Sequence, residues 1–120
     1  MKGYQVDLND SPIFRENKTN PEFSAVVAIF KDQICQNTAQ LKAARRQESR
    51  ANLKARAHKP KGSLGSFGFT ASMDKAAAVE QAARSGSDWR ELEQLVDELD
   101  IHVGLLVREI DQTLSQASQA

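Results

Sequence analysis

The chain has 120 residues, 40% hydrophobic and only 6% aromatic, with zero formal net charge and a single cysteine, Cys35. That length supports one hydrophobic core built from Leu, Val, Ile and Ala. Zero net charge argues against a general nucleic-acid binder, one cysteine excludes an internal disulfide and fits a reducing compartment, and the absence of a membrane-length apolar run or signal-peptide pattern reads as cytoplasmic, with no membrane partner.

Residues 1–19 show no strong period and read as a mostly irregular leader. Tyr4, Val6, Leu8, Ile13 and Phe14 can pack onto the later helices, with a short helical turn near Pro12. Asn20-Pro21-Glu22 is a helix start: an N-cap, a proline at the first helical position and an acid in the first turn. Phe23, Val27, Phe30, Ile34 and Leu41 continue at helical spacing, so the first helix is predicted over 21–46. Cys35 falls beside that stripe, as a packing residue.

A second helix is predicted over 48–68 and ends at Gly68. Leu53, Ala57, Pro60, Leu64 and Phe67 form its apolar stripe, at spacings of 4, 3, 4 and 3. Ser72 is expected to cap a third helix over 72–84, with small inward residues around Met73, Ala76, Val79 and Ala83. Ser85-Gly86-Ser87 is a turn, and Ser87 or Asp88 caps a long fourth helix. There Leu92, Leu95, Val96, Leu99, Val103, Leu106 and Ile110 keep an apolar stripe. His102, at its edge, reads as a boundary packing residue. The chain is expected to fray from Ser115.

Four amphipathic helices with short connections predict an all-α fold. It is an antiparallel up-down-up-down four-helix bundle over residues 20–117, after a leader (1–19) that is irregular or briefly helical and before a frayed tail (118–120). Charge is unevenly spread. Residues 42–61 carry eight Lys/Arg against Glu48 alone, whereas residues 70–120 carry ten acids against four bases. A basic element in a neutral chain suits an acidic partner, or is a solvated helix face.

His58 lies roughly 140° from the stripe of the second helix, toward solvent. Beside it stand Lys54, Lys61, Gly62 and Gly65. Phosphoryl transfer to a side chain needs an accessible nucleophile and positive charge for the transferred oxygens. Imidazole, with an ordinary pKa of about 6.5, offers a neutral nitrogen near pH 7. Lys61, one turn on, can reach phosphate oxygens. Gly62 and Gly65, lacking Cβ atoms, would leave a shallow depression for a partner's active site. Each glycine costs the helix roughly 1 kcal/mol relative to alanine, which suggests a use for the missing side chains. Ser63 and Ser66 read as small residues that permit close approach.

The run Ala57-His58-Lys59-Pro60-Lys61-Gly62-Ser63-Leu64-Gly65-Ser66-Phe67-Gly68-Phe69-Thr70 resembles histidine-containing phosphotransfer (HPt) domains, which carry His-x-x-Lys-Gly, then small residues and a further glycine. His58, Lys61, Gly62, Ser63 and Gly68 stand at those positions. The motif looks most like the branch found in the chemotaxis kinase CheA, in which a glutamate on the next helix hydrogen-bonds the histidine. A gapless count places Glu80 there; on the residues alone, Glu80 reads as a solvent-facing helix glutamate. The resemblance covers residues 21–116. It implies a phosphocarrier without kinase activity of its own. His58 would accept and donate a phosphoryl group between a sensor or hybrid histidine kinase, or a receiver-domain aspartate, and a response-regulator receiver domain. It implies no cofactor on this chain, with Mg²⁺ on the partner receiver.

Pro60 departs from the family, which usually has leucine or isoleucine there. Proline lacks the N–H that would bond the Arg56 carbonyl and costs about 3 kcal/mol in a helix interior. The helix is therefore expected to break or bend beside His58. Two other readings are open: a degenerate HPt-like docking or dimerisation module, and a nucleic-acid binding bundle using the 42–61 stripe. The second lacks aromatics among its charges.

Overall fold

The computed structural model describes residues 6–17 and 19–119. They form a 3₁₀ turn over Leu8–Asp10, a short helix α1 (Pro12–Asn17) and four long helices: α2 (Pro21–Arg46), α3 (Arg50–Ser66), α4 (Thr70–Ser85) and α5 (Trp89–Gln119). Among the described residues there is no strand. Helices α2 to α5 pack in sequence order, and α5 closes the ring against α2. The result is the all-α four-helix bundle expected from the patterning.

Several helix ends have a local chemical reason. The Asn20 side chain accepts from the Glu22 N–H at 3.0 Å, and Pro21 follows at the first helical position. Ser49 caps α3, accepting from the Asn52 N–H at 3.1 Å, so α3 starts two residues later than its stripe suggested. It ends at Ser66, before Gly68 turns at φ +80°. Gly86, at φ +77°, ends α4 in the same left-handed region. The Asp88 side chain accepts from the Arg90 N–H at 3.4 Å and opens α5.

Two boundary expectations are corrected, and of the break or bend expected at Pro60 the break is absent. Ser72 does not cap α4; the helix already begins at Thr70, with Phe69 at the cap position and no side-chain cap. Ser72 is buried instead, its hydroxyl 3.5 Å from His102 Nδ1. The helix does not stop at Ser115. Its Ser, Gln and Ala residues contain no helix breaker, and α5 runs to Gln119. Pro60 does not break α3, which is helical from Arg50 to Ser66. The proline is buried in the row of Leu53, Ala57 and Leu64, so its ring packs in the core.

The core is aliphatic along the length of the bundle and aromatic at one end. Ile34, Leu41, Leu53, Leu64, Leu92, Leu99, Leu106 and Ile110 are fully buried. All five phenylalanines gather at the end where α3 meets α4. Phe14 meets Phe23 edge-on at 5.6 Å, and Phe30 lies 4.3 Å from Phe67 and 6.0 Å from Phe69. Such ring pairs contribute about 0.5–1.5 kcal/mol beyond their buried area.

The leader docks into this cluster. Leu8 and Phe14 are buried, Val6 is half-buried, and Ser11 bonds the Phe67 carbonyl. Ile13, expected to pack, is 40% exposed because it follows Pro12 on the outer side of α1. Tyr4 lies outside the described residues.

Candidate functional site

His58 and Glu80 face each other across the seam between α3 and α4. On α3, His58 follows the buried Ala57 and is rotated off the core, leaving its side chain 70% exposed. On α4, Glu80 follows the buried Val79 at the wall of α3, and its side chain is 9% exposed. Antiparallel packing across a short connection brings the two level. His58 Nδ1 lies 3.1 Å from Glu80 Oε2.

The carboxylate takes three partners. Lys61 Nζ donates to Oε1 at 2.5 Å, His58 Nδ1 meets Oε2, and the Arg84 guanidinium stands 3.7 Å from that same oxygen. The Lys61 hydrogen bond, seconded by His58, holds Glu80 below the ordinary carboxylate range, against the upward pull of burial. Glu80 is therefore ionised near pH 7 and can only accept. The proton between the two groups must sit on His58 Nδ1. In the neutral imidazole Nε2 then holds the lone pair, and it points away from the carboxylate.

The glycines divide by role. A Cβ at Gly62 would meet nothing within 4 Å, so this flank of the His58 seam is open. Gly65 is different. A Cβ there would stand 2.9 Å from Met73 Sδ, so its bareness lets α4 close on α3 and does not widen the depression beside the imidazole. Gly68 also leaves the site. Its positive φ stops α3, and a Cβ would stand 3.1 Å from Pro12 Cδ, where the leader crosses. Lys54 is exposed one turn before His58, and Ser63 is half-buried.

The basic stripe is smaller than its sequence suggests. Lys42 pairs with Asp100 at 3.4 Å, and Arg45 pairs with Asp97, both on α5. Arg50 lies over the Trp89 ring at 5.9 Å. Lys54 and Lys59 remain exposed beside His58 on α3, and Arg56 is exposed on another face of the helix.

One further expectation is corrected and one is sharpened. Cys35 is exposed on α2 and is not a packing residue. His102 is buried and lies inside the core edge, against Ser72. Burial, followed by the nearby Lys75 charge, pushes its imidazole below the usual histidine range. Arg84 is a site residue that the sequence motif does not mark. A signal for it was available, since residues four apart on a helix stack on one face and Glu80–Arg84 has that spacing.

An exposed imidazole with its Nδ1 proton held by a buried carboxylate, a cation one turn away and an open flank is equipped for nucleophilic attack through Nε2. Among the described residues, no helix is long and apolar enough to cross a membrane. No curated protein and no solved structure gives a significant match to the chain. Residues 25–120 match the family model of the Hpt domain, from the first turns of α2 onward. With most of its length matched and with the all-α bundle in place, the chain belongs to the Hpt domain family, whose members carry phosphoryl groups on histidine within phosphorelays.

Proposed function

We propose that His58 carries the phosphoryl group and that Glu80 and Lys61 prepare it to do so. The observation that carries this reading is the 3.1 Å contact between His58 Nδ1 and the buried, ionised Glu80, on an imidazole whose other side is exposed. In the accepting step the Nε2 lone pair attacks phosphorus. The P–N bond forms as the bond to the donor breaks, and the donor leaves with that electron pair. The donor is a histidine kinase or an aspartyl phosphate of a receiver domain. The imidazole becomes positive, and its Nδ1–H is stabilised against Glu80. Lys61 spends one N–H on Glu80 and has two more for phosphoryl oxygens.

In the donating step the same bonds run in reverse toward a receiver aspartate, and the imidazole leaves neutral because it keeps the Nδ1 proton. The open flank at Gly62 lets a receiver approach to the short range that in-line transfer needs. Exposed Lys54 and Lys59 suit a receiver's acidic, Mg²⁺-binding active site.

Incubation with a phosphorylated receiver domain or a matching histidine kinase tests the reading. The chain is expected to gain acid-labile, alkali-stable phosphate, and His58→Gln to gain none. Label that persists in His58→Gln contradicts it. Receiver binding without label in the wild type points instead to a docking module.

A further inference from the structure

Glu80 Oε2 is shared. It accepts from His58 Nδ1 at 3.1 Å and stands 3.7 Å from Arg84 Nη2, one turn further along α4. Arg84 is also held from the side, because its Nη1 donates to Gln81 Oε1 at 3.1 Å. The other carboxylate oxygen is already committed to Lys61. A buried acceptor that serves one cation on each oxygen has less negative potential left for the imidazole.

We propose that Arg84 is a positioning residue that moderates the pull of Glu80 on His58 and so sets how readily His58 takes and releases a phosphoryl group. The inference rests on the assignment of His58 as the phosphoryl carrier. Nucleophilic attack places positive charge on the imidazole, and Glu80 stabilises that charge through Nδ1–H. Arg84 opposes it across the same oxygen. With Arg84 present the phosphohistidine is held less firmly, which suits a carrier that must pass its group on. Lys54 is the natural control. It is an exposed cation one turn before His58, on the opposite side of the seam from Arg84, and no hydrogen bond or ion pair joins it to Glu80 among the described residues.

The test uses the full chain and phosphoramidate as donor. Nε2 attacks its phosphorus, the bond to nitrogen breaks and ammonia leaves. Phosphohistidine is followed by ³¹P NMR, and the His58 Nδ1 proton is observed in the unphosphorylated protein. Losing a unit charge beside Oε2, screened by water, corresponds to about a threefold rate change. Arg84→Gln is expected to speed labelling by about that factor relative to Lys54→Gln, which loses the same charge for attracting the anionic donor. Arg84→Gln is also expected to move the Nδ1 proton downfield, as a stronger hydrogen bond does. Arg84→Lys is expected to restore wild-type behaviour, and the acceleration to vanish in a Glu80→Gln background.

Equal slowing in Arg84→Gln and Lys54→Gln with an unmoved Nδ1 proton overturns the inference and leaves Arg84 a steering cation. Acceleration that survives in the Glu80→Gln background also overturns it. A wild-type chain that takes no phosphate overturns the reading of His58 itself, while the Nδ1 proton still decides the role of Arg84.

Discussion

Gly62 and Gly65 stand on one helix near one histidine, and their surroundings separate them. Gly65 is bare because Met73 occupies the space its side chain would fill, whereas Gly62 is bare beside open solvent. Nothing within the folded chain therefore requires glycine at 62, and the helix is weaker for it. Gly62→Ala is expected to raise unfolding free energy by about 0.5–1 kcal/mol, measured by denaturant titration. Gly62→Gln is expected to leave labelling by phosphoramidate intact while slowing labelling by a phosphorylated receiver, because only the larger donor needs that flank. Equal loss with both donors contradicts the assignment of Gly62 to partner approach. The sequence showed both glycines on the histidine side of the helix. It could not show which one faced α4, because that depends on the packing of two helices.

At the scale of the elements, Pro60 sets local propensity against tertiary packing. The missing N–H leaves the Arg56 carbonyl without its intrahelical partner, yet α3 continues to Ser66 because the ring is buried along the Leu53–Leu64 row. Pro60→Leu restores the hydrogen bond and is expected to stabilise the bundle by about 1–3 kcal/mol, less any crowding of the core. Thermal unfolding checks this, and an unchanged or lowered Tm contradicts it. Helix existence and order were legible because apolar periodicity and the Asn20-Pro21 and Gly86 signals act locally. The start of α4 was not. Ser72 has the composition of a cap, but its hydroxyl is drawn inward to His102 by contact with α5. The end of α5 was misread for the opposite reason, since small polar residues are not by themselves a stop.

For the whole molecule, two titrating groups tie stability to pH. The folded chain holds His102 below its ordinary value of 6.5, so the unfolded chain binds that proton first as pH falls, and stability declines from there downward. Glu80 is held below its ordinary value of 4.5, so its contribution is present above that pH and is lost as the pH drops through its lowered folded value. Tm is expected to fall in two stages between pH 8 and pH 3, and His102→Gln to remove the upper stage. A wild-type Tm that is flat between pH 7 and pH 5 contradicts the upper assignment. The motif made His58 and Lys61 legible in the sequence, and counting reached Glu80. It did not reveal that Lys61 and Arg84 both turn to Glu80, because the carboxylate's burial appears only when α3 and α4 close. The bundle thus presents one imidazole with one nitrogen tied down and the other free. The most direct test is the site of phosphorylation within the ring: after labelling, NMR is expected to place the phosphoryl group on His58 Nε2, with the Nδ1 proton retained, whereas phosphate on Nδ1 or on another residue would contradict the account.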